Sequence, residues 1–175
     1  MSVGASMGPE LGRLGDLLQR RDLTVAVAES MTGGLLAAAL ADLPDSSHRF
    51  LGGVVSYRTD KKMDLLGVSE EVIARDGVVS RPAARLMADA ARRLFHSGVA
   101  ISVTGVAGPQ RQEDKPVGLT YIGVALDGRT EVREYRWPGG RAANRVASVE
   151  AAISFAADLL DAPTLPSRGG GKKVV

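Results

Sequence analysis

Apolar positions along this chain follow two rhythms: short continuous runs of strand length, and stripes spaced three to four residues apart. Leu11, Leu14 and Leu18 recur at helical spacing and predict a short amphipathic helix ending near Arg20 or Arg21. Thr24 to Ala28 is an unbroken run that predicts a buried strand, and Gly33 to Ala41, almost wholly Ala and Leu, predicts a helix packed on most sides. Pro44 to Ser47 reads as a loop, and Phe50 to Tyr57 as a second strand. Asp60 to Leu66 predicts a short helix with Gly67 at its C-cap, and Ser69 caps another that carries Glu70 and Glu71 in its first turn. Ser80 caps a long helix, Arg81 to His96. Its buried stripe is Ala84, Met87, Ala91 and Leu94, and Arg81, Arg85, Asp89 and Arg92 form its wet side. Val99 to Val106 is a third strand. Gly118 to Leu126 and Glu131 to Trp137 flank Asp127-Gly128 as a β-hairpin, and a last helix from Arg141 to Leu160 buries Val146, Val149, Ile153 and Leu160.

Strands alternating with helices, plus one late hairpin, predict an α/β fold: a single three-layer α/β/α domain with a mixed sheet, spanning residues 11–161. Residues 1–10 and 163–175 read as flexible termini, the latter through the low-complexity stretch Ser167 to Lys173. At 175 residues the chain is long enough for a full core, and 45% hydrophobic with 24% charged residues is an ordinary globular balance. A net charge of +2 without a dense basic block, and only 4% aromatics, give no case for nucleic acid as a partner. The absence of cysteine excludes disulfides, thiolate metal sites and a Cys nucleophile. Neither a secretory signal nor an apolar run of the ~20 residues a membrane span needs is present, so a cytoplasmic protein without a membrane partner is expected. A homo-oligomer is compatible with this composition.

The chemistry centres on Ser30. It closes the first strand and opens Glu29-Ser30-Met31-Thr32-Gly33-Gly34, where a glycine-rich helix start would aim free N–H groups and the positive helix end at the hydroxyl. That suits anion binding or stabilisation of an oxyanion; a plain helix N-cap is the alternative. In open α/β sheets, sites form at the carboxyl ends of strands, so Ser30, Tyr57 and Thr104-Gly105 should converge. Activation of a Ser needs a base. His48 falls at the wrong sheet edge and His96 at the end of a helix, which leaves Lys61 and Lys62 just after Tyr57. A buried Lys loses pKa and can accept a proton; a solvated pair could not. The turn Thr104, Gly105 to Gly108 could hold a phosphate or flat ring, and Arg141 and Arg145, one turn apart, could grip an anion. Glu29 points to the face opposite Ser30 and reads as a structural anchor. No metal-ligand spacing is visible.

These pieces, in order, resemble the CinA C-terminal domain family, whose stand-alone members are nicotinamide-nucleotide amidases. The resemblance runs from about Leu23 to Leu160. It rests on Ala28-Glu-Ser-Met-Thr-Gly-Gly34, Gly52-Gly-Val-Val-Ser-Tyr57, Lys62-Met-Asp-Leu-Leu-Gly-Val68, Gly77-Val-Val-Ser80, Thr104-Gly-Val-Ala-Gly-Pro109, Lys115-Pro-Val-Gly118 and Pro138-Gly-Gly-Arg141. It implies hydrolysis of the carboxamide of nicotinamide mononucleotide to nicotinate mononucleotide and ammonia. Ser30 would be the nucleophile, Lys62 the base and Tyr57 the residue between them. Backbone amides near Thr32, Gly33 and Gly34 would hold the oxyanion, and no metal or organic cofactor is implied. Where the family carries a glycine-rich stretch, this chain has Gln110-Arg-Gln-Glu-Asp114. Two other functions fit the same residues: a non-catalytic module linked to competence or DNA damage, and an amidase for another pyridine or sugar amide.

Overall fold

The computed structural model describes residues 8–162. In chain order the elements are α1 Gly8–Arg20, β1 Val25–Glu29, α2 Leu35–Ala41, α3 Ser46–Arg49, β2 Phe50–Val55, α4 Thr59–Leu66, α5 Glu70–Asp76, α6 Arg81–Phe95, β3 Val99–Gly105, β4 Leu119–Leu126, β5 Arg129–Arg136 and α7 Arg141–Asp161. The five strands form one mixed sheet in the order β2-β1-β3-β4-β5. β1 runs parallel to both β2 and β3, and β4 and β5 close the sheet as an antiparallel hairpin across Asp127-Gly128.

Side-chain alternation along the strands makes the three layers. Val25, Val27, Ile101 and Val103 face α1, α2 and α7 in one core. Ala28, Ala100 and Ala125 face α6 in the other. The second face is built of small residues, so α6 lies close on it, and Ser102 Oγ donates to the Ala84 carbonyl of that helix at 2.6 Å. This is the three-layer mixed sheet that the pattern predicts.

Local departures have local causes. The helix after Ser30 starts at Leu35 rather than Gly33, because Gly33 and Gly34 have φ of 58° and 95°, a left-handed backbone that no α-helix accepts. Pro44 to Ser47 is not all loop, since Ser46–Arg49 makes one helical turn. β2 stops at Val55, where its pairing with Glu29 ends, so Tyr57 stands outside the strand. Leu94 is 56% exposed instead of completing the stripe of α6; Phe95 takes the inner position, against Gly52 of β2. Asp89 leaves the wet side to accept a hydrogen bond from Thr130. Helix α1 begins at Gly8, inside the expected frayed leader; residues 1–7 and the tail 163–175 lie outside the described residues.

Glu29 is the structural keystone of the strand-to-helix passage. It is completely buried, and its carboxylate accepts N–H bonds from Gly34 at 2.9 Å, Leu36 at 3.2 Å and Ala37 at 2.8 Å. The anion that the start of α2 attracts is therefore this carboxylate. Glu29→Ala would leave three backbone donors without their acceptor, that of Leu36 buried and those of Gly34 and Ala37 partly so, and should destabilise the fold by about 2 kcal/mol or more. Glu29→Gln, which keeps one acceptor oxygen, should cost less. Denaturant midpoints measure both; a loss under about 1 kcal/mol for Glu29→Ala would remove Glu29 from this role.

Candidate active site

The parallel pair β1–β3 ends with its carboxyl termini side by side, and there the sheet opens into a cavity of about 390 Å³. Ser30 extends β1 by one step, its N–H donating to Val103 at 3.0 Å, and the side chain then faces this cavity. The walls are Met31, Tyr57, the segment Gly105–Gln112 and Arg141. Ser30, Tyr57, Gly105, Gly108 and Arg141, singled out from the sequence, thus do converge.

Residues 30–33 form a tight turn closed by the Gly33 N–H on the Ser30 carbonyl at 3.1 Å. The amides of Gly33 and Gly34 are both engaged, the second by Glu29. They cannot serve an oxyanion, contrary to expectation. In a turn closed this way the amides of the two central residues, Met31 and Thr32, stay outside the closing bond. Thr32 itself is fully buried and does not line the cavity.

Two other expected ligand residues are turned inward. Thr104 alternates to the α6 face of β3, where its hydroxyl donates to Val78 at 2.8 Å. Arg145 donates to the carbonyls of Met31 at 3.1 Å and Thr32 at 2.6 Å, so it grips the serine turn from behind. Arg141 does reach the cavity. It donates to the Gly108 carbonyl at 2.8 Å and to the Tyr57 hydroxyl.

Lys62 and Lys61 lie on different sides of α4. Lys62 is 1% exposed, and its ammonium donates to the Tyr57 carbonyl at 3.3 Å. Burial pushes its pKa down to about 8, against a smaller upward pull from Glu113. Lys61 sits in water beside Asp60 and Asp64. Lys62 does not line the cavity, and the Tyr57 hydroxyl points to Arg141 instead of bridging serine and lysine. His48, 67% exposed on α3 before β2, is at the opposite end of the sheet from Ser30.

Sequence reasoning missed the support beneath the cavity. Asn144 is fully buried and donates to the Ala107 carbonyl at 3.1 Å. Ser148, one turn on, meets Thr120 Oγ1 at 3.4 Å, and Thr120 in turn reaches Met31 Sδ at 3.5 Å. The signal was present as two polar residues four apart on the buried stripe of α7. Among the described residues no group of three His, Cys, Asp or Glu is placed to hold a metal ion, and no helix is long and apolar enough to cross a membrane.

The family model for the CinA C-terminal domain matches residues 11–160. A putative competence-damage inducible protein of Desulforamulus reducens is 46% identical over 147 residues, covering 84% of this chain and 36% of that protein. A CinA-like protein of Frankia casuarinae is 46% identical over 144 residues, covering 82% of this chain and 33% of its own length. The chain thus spans about a third of these relatives. Among solved structures, a CinA superfamily protein of Klebsiella pneumoniae superposes with a TM-score of 0.85 at 29% identity, over 88% of this chain and 97% of its own. The competence/damage inducible protein CihA of Agrobacterium tumefaciens gives 0.77 at 36% identity, over 86% and 97%.

Proposed function

The chain belongs to the CinA C-terminal domain family, and from that premise we propose that it is an amidohydrolase acting on nicotinamide mononucleotide. The observation that carries the reading is Ser30 opening onto a cavity whose charged walls, Arg111 and Arg141, are both cationic, with no carboxylate on the lining. Such a site favours a substrate that brings its own negative charge, and a nucleotide phosphate supplies it. A carboxamide directed at Ser30 would then leave the phosphate to the guanidinium wall.

Ser30 Oγ attacks the amide carbon and passes its proton to the neutral amine of Lys62, which is the catalytic base of this reading. The resulting oxyanion is held by the amide of Met31, the turn residue that lines the cavity beside Ser30. The ammonium of Lys62 gives its proton to the departing nitrogen, ammonia leaves, and an acyl ester remains on Ser30. Water, deprotonated by the same amine, cleaves the ester to the carboxylate and restores Ser30. Lys62 must move from the Tyr57 carbonyl toward Ser30 when substrate arrives, since catalytic hydrogen bonds commonly tighten only in the complex. Tyr57, on the cavity wall and tied to Arg141, orients that guanidinium.

Ammonia release from nicotinamide mononucleotide by the purified protein tests the reading. Turnover supports it; tight binding of the nucleotide without ammonia would identify a binding module instead. The chemistry draws on no metal, so exhaustive EDTA dialysis should leave the rate unchanged. A rate lost on dialysis and regained with Zn²⁺ or Mg²⁺ would contradict the mechanism.

A further inference from the structure

Part of the cavity wall is one half of a short loop whose other half is fastened elsewhere. Gln110, Arg111 and Gln112 line the cavity. Just beyond them the chain reverses through Glu113 and Asp114, with the Lys115 N–H returning to the Gln112 carbonyl at 2.8 Å. Both reversing residues are non-glycine and left-handed, with φ of 51° and 58°. Such backbone is strained for residues with a side chain and persists where its surroundings impose it.

The imposing contacts are those of Glu113 and Lys115 with the segment that follows α5. The Glu113 carboxylate accepts the Val78 N–H at 3.2 Å and the Val79 N–H at 3.5 Å. The Lys115 ammonium lies 3.4 Å from that carboxylate, donates to the Val79 carbonyl at 2.6 Å and also to that of Asp76. The pair straddles Gly77. A Cβ there would stand 2.2 Å from Glu113 Oε2 and 2.6 Å from Lys115 Nζ, and φ at Gly77 is 80°. Only glycine leaves room for the clip.

We propose that Glu113 is a positioning residue: clipped with Lys115 over Gly77, it holds Gln110 to Gln112 as the wall that receives the anionic end of the substrate. This rests on the nucleotide-amide reading of the site. The Glu113 charge also favours the ammonium form of Lys62.

Two readouts separate the clip from the reaction. The first is kinetic, at about pH 9, where Lys62 is mostly neutral with or without Glu113. Glu113→Ala should raise KM for nicotinamide mononucleotide by about tenfold with kcat within about threefold, the signature of lost binding rather than lost chemistry. The phosphate-free riboside should show little change in KM. Glu113→Gln, which keeps an acceptor oxygen, should fall between Glu113→Ala and the wild type, and Lys115→Met should match Glu113→Ala. The second readout needs no turnover. Trypsin cleavage after Arg111, followed by mass spectrometry and referred to cleavage after the exposed Arg58, should quicken about tenfold in Glu113→Ala and in Gly77→Ala. Unchanged cleavage after Arg111, or a fall in kcat with KM intact, would overturn the clip. A wild type that releases no ammonia would overturn the amidase reading alone, and the cleavage ratio would still decide the role of Glu113.

Discussion

Ser30→Ala should lower kcat by about 10⁴-fold or more while leaving the fold in place, because removal of a covalent nucleophile leaves only binding and oxyanion stabilisation. The stability side of this prediction comes from the local geometry. Ser30 sits on the cavity wall rather than in either core, and its structural bonds are made by backbone: its N–H to Val103 and its carbonyl to Gly33. Neither is touched by the loss of the hydroxyl. The start of α2 is satisfied by the Glu29 carboxylate, so no cap is lost either. Melting temperature should therefore move by only a few degrees, as for a loss under about 1 kcal/mol. A Ser30→Ala protein that turns over at a tenth of the wild-type rate would end the assignment of Ser30 as nucleophile.

Lys62→Met should reduce kcat by about 10²–10⁴-fold, the usual contribution of a general base, and Lys61→Met should stay within a few-fold of wild type. The two residues are adjacent, but a helix turns about 100° between them, and only Lys62 is taken inside. With Lys62 as the proposed base, acting in its neutral form with a pKa near 8, the wild-type rate should climb with pH and level off above about 8. Folding carries a matching signature. A lysine in the unfolded chain holds its proton to about 10.4, whereas the buried one releases it near 8. Between those values the unfolded state binds more protons, so stability should rise with pH across that window and gain nothing from this group below it. Lys62→Met should flatten that rise. Equal kinetic effects from the two lysines, or a stability curve that falls from pH 8 upward, would contradict the inward placement of Lys62.

Much of the architecture was legible because the apolar runs of β1 and β3 and the stripes of α1, α6 and α7 are decided by burial, which sequence periodicity records. The mixed sheet, whose carboxyl edge gathers Ser30, Tyr57 and the Gly105–Gly108 turn, follows from the same signal. What periodicity does not encode is where a backbone bond goes. The Gly33 and Gly34 amides looked free from sequence, yet one closes the serine turn and the other serves Glu29. Arg145 and Thr104 have residue types suited to a ligand, and both are consumed by backbone carbonyls. Leu94 fits the stripe of α6 numerically, but it stays exposed and the next residue, Phe95, is the one set against Gly52 of β2. The ties of Glu113 and Lys115 to residues 76–79 join segments more than thirty positions apart, a pairing that no local pattern announces.

The most direct test of the account is whether substrate carbon becomes bonded to Ser30 during turnover. Protein mixed with excess nicotinamide mononucleotide and quenched in acid within the first turnovers should show, by intact mass spectrometry, a fraction heavier by one nucleotide less ammonia. Peptide mapping should place that mass on Ser30 and Ser30→Ala should lack it. Lys62→Met should form it slowly if at all. Steady ammonia release with no adduct on Ser30 under the same quench, or an adduct that maps to another residue, would contradict the account.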